Sequence, residues 1–160
     1  MRSTSMTTPN TQRIAFIQSG WHADIVDRCR EGFVARLQEL GHDPELIDFF
    51  QVPGAFEIPL KCKQLLATGK YAIAVAAGFV VDGGIYRHEF VAQAVVNALM
   101  QVQLELDKPV LSAVLTPKEF QESEAHQQFF FDHMLIKGKE AADVVESLLV
   151  EGGQVLARTA

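Results

Sequence analysis

With 160 residues, 48% of them hydrophobic, the chain is long enough for one domain with a sizeable buried core and too short for two comfortable ones. Twenty acidic side chains against fourteen basic ones give a formal net charge of -6 with no basic stripe or cluster, which argues against a partner read through a phosphate backbone. No apolar run approaches membrane length and the opening MRSTSMTTPNTQ lacks a hydrophobic signal core, so a soluble, cytoplasmic protein without nucleic-acid or membrane partners is expected.

Residues 1–12 are rich in Ser, Thr, Pro and Asn without periodicity, as in a flexible arm. Residues 14–17 read as a first strand, broken by Ser19-Gly20-Trp21-His22. Ile25, Val26, Cys29, Phe33, Val34, Leu37 and Leu40 then recur at helical spacing until Gly41 supplies a stop. Residues 44–50 (PELIDFF) are a second strand candidate, closed by Val52-Pro53-Gly54. Pro59 suits the first turn of a helix carrying Leu60, Cys62, Leu65 and Leu66 up to Gly69. Cys29 and Cys62 are spaced like neither a redox pair nor a metal site and read as reduced packing residues.

Residues 72–81 form an apolar run too short for a membrane span and rich enough in Val and Ala-flanked Ile to be a strand buried on both faces. Asp82-Gly83-Gly84 breaks it, and Phe90, Val91, Ala94, Val95, Ala98, Leu99 and Val102 follow at helical spacing to about Leu106, before Pro109. Loop amides and a helix N-terminus together can hold an anion such as phosphate, with Arg87 and His88 at the helix start. The alternative is a glycine turn bearing two exposed polar residues. Residues 110–115 are a fourth strand. The polar and aromatic stretch 116–131 holds a short helix, its Phe129-Phe130-Phe131 cluster packed inward or against another subunit. Residues 140–150, after Lys137-Gly138, read as a last amphipathic helix ended by Gly152-Gly153.

Alternation of strands and helices predicts an α/β protein, a four-stranded parallel sheet with helices on both faces, spanning residues 13–150 between the arm and a 151–160 tail. Ligands of such sheets lie beyond the carboxyl ends of the strands. The informative loops therefore contribute Trp21 and His22, then Ala55, Phe56 and Glu57, then residues 83–88, then Thr116. They bring a flat aromatic, a carboxylate and an anion site to one crevice. For Trp21 a core or interface position is the alternative, and for Glu57 a helix-capping role.

The succession Arg13-Ile-Ala-Phe-Ile, Val52-Pro-Gly-Ala-Phe-Glu-Ile-Pro59, residues 78–91, Val114-Leu-Thr116 and Lys137-Gly138 with Glu140-Ala-Ala142 resembles the lumazine synthases. The resemblance covers residues 13 to about 150 and implies a flavodoxin-like three-layer α/β/α sandwich. It also implies condensation of 5-amino-6-(D-ribitylamino)uracil with 3,4-dihydroxy-2-butanone 4-phosphate, giving 6,7-dimethyl-8-ribityllumazine and phosphate without cofactor or metal. Trp21 stands where the family stacks a phenylalanine on the pyrimidine. Ala55, Phe56 and Glu57 stand where the pyrimidine and ribityl chain are read, Phe79, Val80 and Val81 line the ring pocket, and Gly83, Gly84 and Ile85 match the phosphate loop.

Several positions depart from the family pattern. The loop usually reads Arg-Gly-Glu-Thr, and here it is Asp82-Gly83-Gly84-Ile85. Arg87 occupies the catalytic histidine position and His88 the phenylalanine after it. Ser112 replaces a pyrimidine-contacting phenylalanine and His126 a phosphate-binding arginine, while Lys137 keeps its place; the resemblance implies that Ser112, His126 and Lys137 come from a neighbouring subunit of a pentameric ring. These departures match a divergent subclass, for which a decamer is expected. They also leave open a low-activity or non-catalytic lumazine- or flavin-binding oligomer, and the arm and phenylalanine cluster a mainly structural assembly protein.

Overall fold

The computed structural model describes residues 13–81, 88–117 and 123–151. The expected arm and C-terminal tail, and Gly83, Gly84, Ile85, Arg87 and Gly152-Gly153, lie outside the described residues. Four strands, β1 (Arg13–Ser19), β2 (Ile47–Val52), β3 (Tyr71–Phe79) and β4 (Val110–Leu115), alternate with four helices, α1 (Ala23–Glu39), α2 (Ile58–Ala67), α3 (His88–Leu106) and α4 (Glu124–Glu151). The strands pair in parallel in the order β2-β1-β3-β4.

Burial follows this order. β3 is buried along its whole length because it has a strand on each side and helices on each face, whereas the edge strands β2 and β4 are only partly covered. On one face, Phe16, Val75, Ala77 and Phe79 pack against Ile25, Cys29 and Phe33 of α1 and Met134, Ala142 and Val145 of α4. On the other, Ile17, Ala74, Ala76 and Val114 meet Ile58, Cys62 and Leu66 of α2 and Val95, Leu99 and Val102 of α3. Each such fully buried aliphatic or aromatic side chain contributes roughly 1.5–3 kcal/mol relative to exposure. The result is the helix-covered parallel sheet that the alternation predicts, in the flavodoxin-like three-layer form that the resemblance implies.

Helix ends follow their sequence signals. Gly41 and Gly69 stop α1 and α2 with φ of 89° and 79°, in the left-handed region that glycine enters without Cβ strain. Pro59 sits in the first turn of α2, where its missing N–H costs nothing.

Two expectations need correction. The strand expected over 44–50 is β2, Ile47–Val52; Pro44–Leu46 forms a 3-10 turn, held by the Asp43 carboxylate accepting from the Glu45 N–H at 2.9 Å. The short helix and the separate helix 140–150 are one helix, α4, which runs through Lys137-Gly138 without a break. Gly138 is there for proximity, since a Cβ on it would stand 2.0 Å from the Cys29 carbonyl oxygen; a Cβ on Gly32 would likewise stand 2.1 Å from the Leu135 oxygen. The two helices thus touch backbone to backbone. They run in the same direction, as Arg28 over Phe131 at 4.6 Å and Arg36 with Asp143 at 2.8 Å show along their length. Both begin at the carboxyl ends of the strands.

Candidate functional site

β1 has β2 on one side and β3 on the other, so the connections leaving β1 and β3 diverge and open a crevice at their carboxyl ends. Small side chains let the walls of that crevice meet. Gly78, on β3, faces Ser19, Ile58 and Ala55: a Cβ on it would stand 3.2, 3.4 and 3.7 Å from Ser19 Oγ, Ile58 Cδ1 and Ala55 Cβ. Ser19 at the end of β1 is fully buried, and its Oγ has no hydrogen-bond partner among the described residues. The turn after β1 is tied across to β2, Gly20 donating to the Val52 carbonyl at 2.9 Å.

Beyond Gly20 the indole of Trp21 stands 73% exposed, which excludes the core position left open for it. His22 follows in the left-handed region, with φ 55°, and its ring meets Phe79 edge to face at 5.4 Å. Phe79 in turn meets Phe130 of α4 at 5.2 Å. Of the phenylalanine cluster, Phe130 and Phe131 are half-buried against the core and Phe129 is exposed.

Ala55–Glu57 forms a 3-10 turn leading into α2. The Glu57 carboxylate makes the capping contact weighed for it, accepting from the Gly54 N–H at 2.8 Å. Such a group keeps lone pairs for further donors because a carboxylate offers about four acceptor sites. Phe56 is 64% exposed, whereas Ala55 packs against the core. Phe79 and Val80 are buried and Val81 half-buried, with the Val80 N–H donating to the Leu115 carbonyl at 2.9 Å. Trp21, Ala55–Glu57 and Phe79–Val81 are thus brought to one end of the sheet.

The remaining expected residues are placed differently. His88 opens α3 with its side chain only 17% exposed; its Nδ1 lies 3.4 Å from a Glu89 carboxylate oxygen, an electrostatic contact outside hydrogen-bond geometry. His126 is in the first turn of α4, its backbone N–H donating to Ser123 Oγ at 3.2 Å. Lys137 is about 16 Å further along that helix at about 1.5 Å per residue, where its Nζ pairs with Glu140 at 3.0 Å. Ser112 is exposed on the edge strand opposite Ala76, three residues short of the Phe79–Leu115 pair that closes the ladder. Ser112 and Lys137 of this chain therefore stand back from the strand ends where Trp21 lies.

Neither thiol serves this site. Burial pushes both Cys29 and Cys62 up to about 12, so neither provides a thiolate near neutral pH. Two surface concavities of about 500 and 550 Å³ also lie elsewhere, one along α3 at Met100 and Leu104, the other beside Phe50, Leu65 and Tyr71. The sequence reading missed Ser19 and Gly78 as site-forming residues. The small residue at each of two neighbouring strand ends was the available signal.

Residues 11–150 match the family model described as 6,7-dimethyl-8-ribityllumazine synthase. The chain belongs to the lumazine synthase family. It is 61% identical over 140 residues to "6,7-dimethyl-8-ribityllumazine synthase 2" of Pseudomonas syringae pv. tomato, covering 88% of this chain and 82% of that protein. It is 57% identical over 136 residues to the Rhodococcus erythropolis 6,7-dimethyl-8-ribityllumazine synthase, covering 85% and 88%. With "6,7-dimethyl-8-ribityllumazine synthase 2" of Bradyrhizobium diazoefficiens it shares 51% over 141 residues, covering 87% and 83%. Within this lumazine synthase fold the crevice at β1 and β3 is the one to which the family resemblance points. Among the described residues, no helix is long and apolar enough to cross a membrane.

Proposed function

We propose that this chain condenses 5-amino-6-(D-ribitylamino)uracil with 3,4-dihydroxy-2-butanone 4-phosphate in riboflavin biosynthesis, forming 6,7-dimethyl-8-ribityllumazine and releasing phosphate. The match of residues 11–150 to the lumazine synthase family carries this reading. Its support in the fold is the meeting of an exposed indole, the Ala55–Glu57 turn and the Phe79–Val81 strand end at the crevice.

In this reading the indole of Trp21 stacks on the pyrimidine, while backbone groups of Ala55 and Phe56 and the Glu57 carboxylate read its polar edge and ribityl chain. The substrate's 5-amino group attacks the ketone to give an imine with loss of water. Phosphate then leaves by elimination, and the ribitylamino nitrogen attacks the remaining carbonyl to close the ring with loss of a second water. No enzyme nucleophile is required, so holding both substrates in register supplies much of the rate and a few proton transfers the rest. Gly83, Gly84 and Ile85 hold the phosphate through backbone amides, with Arg87 as the adjacent cation.

The site is completed between subunits: Ser112, His126 and Lys137 of one subunit serve a neighbour's crevice in a pentamer-based homo-oligomer, a decamer in this subclass, in the cytoplasm. That arrangement gives a use to residues that one subunit leaves away from Trp21. Incubating the protein with both substrates and following lumazine fluorescence tests the activity, and sedimentation tests the assembly. Binding of the ring compound without turnover would instead favour a non-catalytic lumazine or flavin binder, the reading motivated by Asp82-Gly83-Gly84-Ile85. A monodisperse monomer would remove the shared site.

A further inference from the structure

Among the described residues only His22 and Asp107 combine a side chain with a positive φ. Asp107 ends α3 at the far end of the sheet, a common place for such a turn residue. His22 has no such excuse in helix capping: it occupies the N-cap of α1 with φ 55° and ψ 44°, and its side chain makes no capping hydrogen bond there. Left-handed backbone in a residue with a Cβ is strained and persists only where surrounding contacts enforce it. One such contact is made by the ring itself, set edge to face against Phe79 at 5.4 Å, and Phe79 also meets Phe130 at 5.2 Å. Phe79 is almost fully buried, so the surface on which His22 rests is fixed.

We infer that His22 is a positioning residue for the aromatic platform of Trp21, its ring wedged on Phe79 so that the strained turn presents the indole to a planar heteroaromatic ligand in one orientation. Trp21 is 73% exposed and has little packing of its own to hold it, so its direction is set by the turn to which it belongs. The wedge also couples the platform to the strand end at Phe79. A ring stacked on the indole then meets a surface already oriented, which lowers the ordering cost of binding. This inference rests on the reading of Trp21 as the stacking residue, and the ligand class it takes is a flat, fused or single pyrimidine-type ring.

Two variants separate ring from backbone. Asn tolerates the left-handed region, so His22→Asn keeps the turn and removes the wedge; His22→Gly removes the wedge and frees the turn. Trp21 is the single tryptophan, so time-resolved anisotropy of its emission reports the order of the platform alone. In His22→Asn the indole becomes more mobile, the KM for 5-amino-6-(D-ribitylamino)uracil rises about five-fold, as expected for losing one aromatic edge contact, and kcat and the KM for the butanone phosphate stay near the parent values. His22→Gly goes further in the same direction. Riboflavin affinity, read by quenching of Trp21, falls in parallel. If His22→Asn keeps parental anisotropy and KM, or loses kcat and both KM values alike together with thermal stability, the inference is overturned. Should the parent protein form no lumazine while both variants still lose anisotropy and riboflavin affinity, the activity assignment fails and the positioning role stands.

Discussion

Gly138 of α4 lies so close to Cys29 of α1 that any Cβ on it would stand 2.0 Å from the Cys29 carbonyl oxygen. No rotamer relieves a clash between a Cβ and a backbone oxygen, so the two helices must separate or shift. Gly138→Ala is expected to cost about 3 kcal/mol, at the upper end of core overpacking, with a fall in Tm of about 10 °C for a chain of this size. Thermal melts at matched protein concentration check it, because assembly would make Tm concentration-dependent. Gly69→Ala is a control: a Cβ there meets nothing within 4 Å, so its cost is confined to left-handed strain.

The same glycine explains where the sequence misleads. Gly after Lys137 reads as a helix break, and Phe129-Phe130-Phe131 blurs the helical stripe because Phe129 is exposed while its two neighbours are half-buried. A steric need on one helix is set by the other, and single-chain periodicity does not contain it. Pro44 misleads for a related reason, since its fixed φ serves a turn closed by the Asp43 side chain. By contrast β3 was legible throughout, because a strand flanked and covered on every side must be apolar at every position. The crevice was legible as a place because loops after parallel strands converge there. The wedge of His22 on Phe79 was not, because it joins a loop to a strand end remote in sequence.

At the opposite end of the sheet, Arg13 donates to both oxygens of Asp48 at 2.9 and 2.7 Å, and the Tyr71 hydroxyl donates a third bond at 2.7 Å. The hydrogen bonds from Arg13 hold the Asp48 carboxyl below its usual range, with Tyr71 adding to the effect. Burial, then the bond to Asp48, pushes the Tyr71 phenol up to about 12. An unfolded Asp titrates at about 3.9 and an unfolded Tyr at about 10. The Asp48 contribution is therefore full above about pH 4 and is lost as pH falls through its lower folded value. The Tyr71 contribution is full below about pH 10 and is lost as pH rises toward about 12. Asp48→Asn should cost about 1–2 kcal/mol at neutral pH and flatten the acid limb of the stability curve. In an absorbance titration of tyrosinate, Tyr71→Phe should remove the component that titrates toward about 12.

Ser19 carries the opposite expectation. A fully buried hydroxyl without a partner bears a desolvation cost that nothing in the described fold offsets, so Ser19→Ala should be neutral or stabilise by up to about 1 kcal/mol. Denaturant unfolding measures it. A loss of more than about 1 kcal/mol would mean that the hydroxyl has a partner in solution, such as an ordered water.

Arg87 and His88 divide the chemistry expected at the start of α3. The family resemblance implies the catalytic histidine position for Arg87, yet a guanidinium stays protonated across the physiological range and is a poor proton shuttle. His88 is tucked in, 17% exposed and beside Glu89, as suits a residue that supports the loop or relays protons through water. The proposed function has Arg87 steady the phosphate and the charge developing as it leaves. Arg87→Ala should raise the KM for the phosphorylated substrate and lower kcat by about a hundred-fold, the scale of losing one charge-stabilising group. Arg87→Lys should recover only part of that, because a single ammonium does not reproduce paired donors. His88→Ala should mainly shift the pH profile of kcat, with a loss of less than about ten-fold if its role is indirect. Near-normal turnover in Arg87→Ala with abolished turnover in His88→Ala would reverse the two roles and move the register of the glycine loop by one residue.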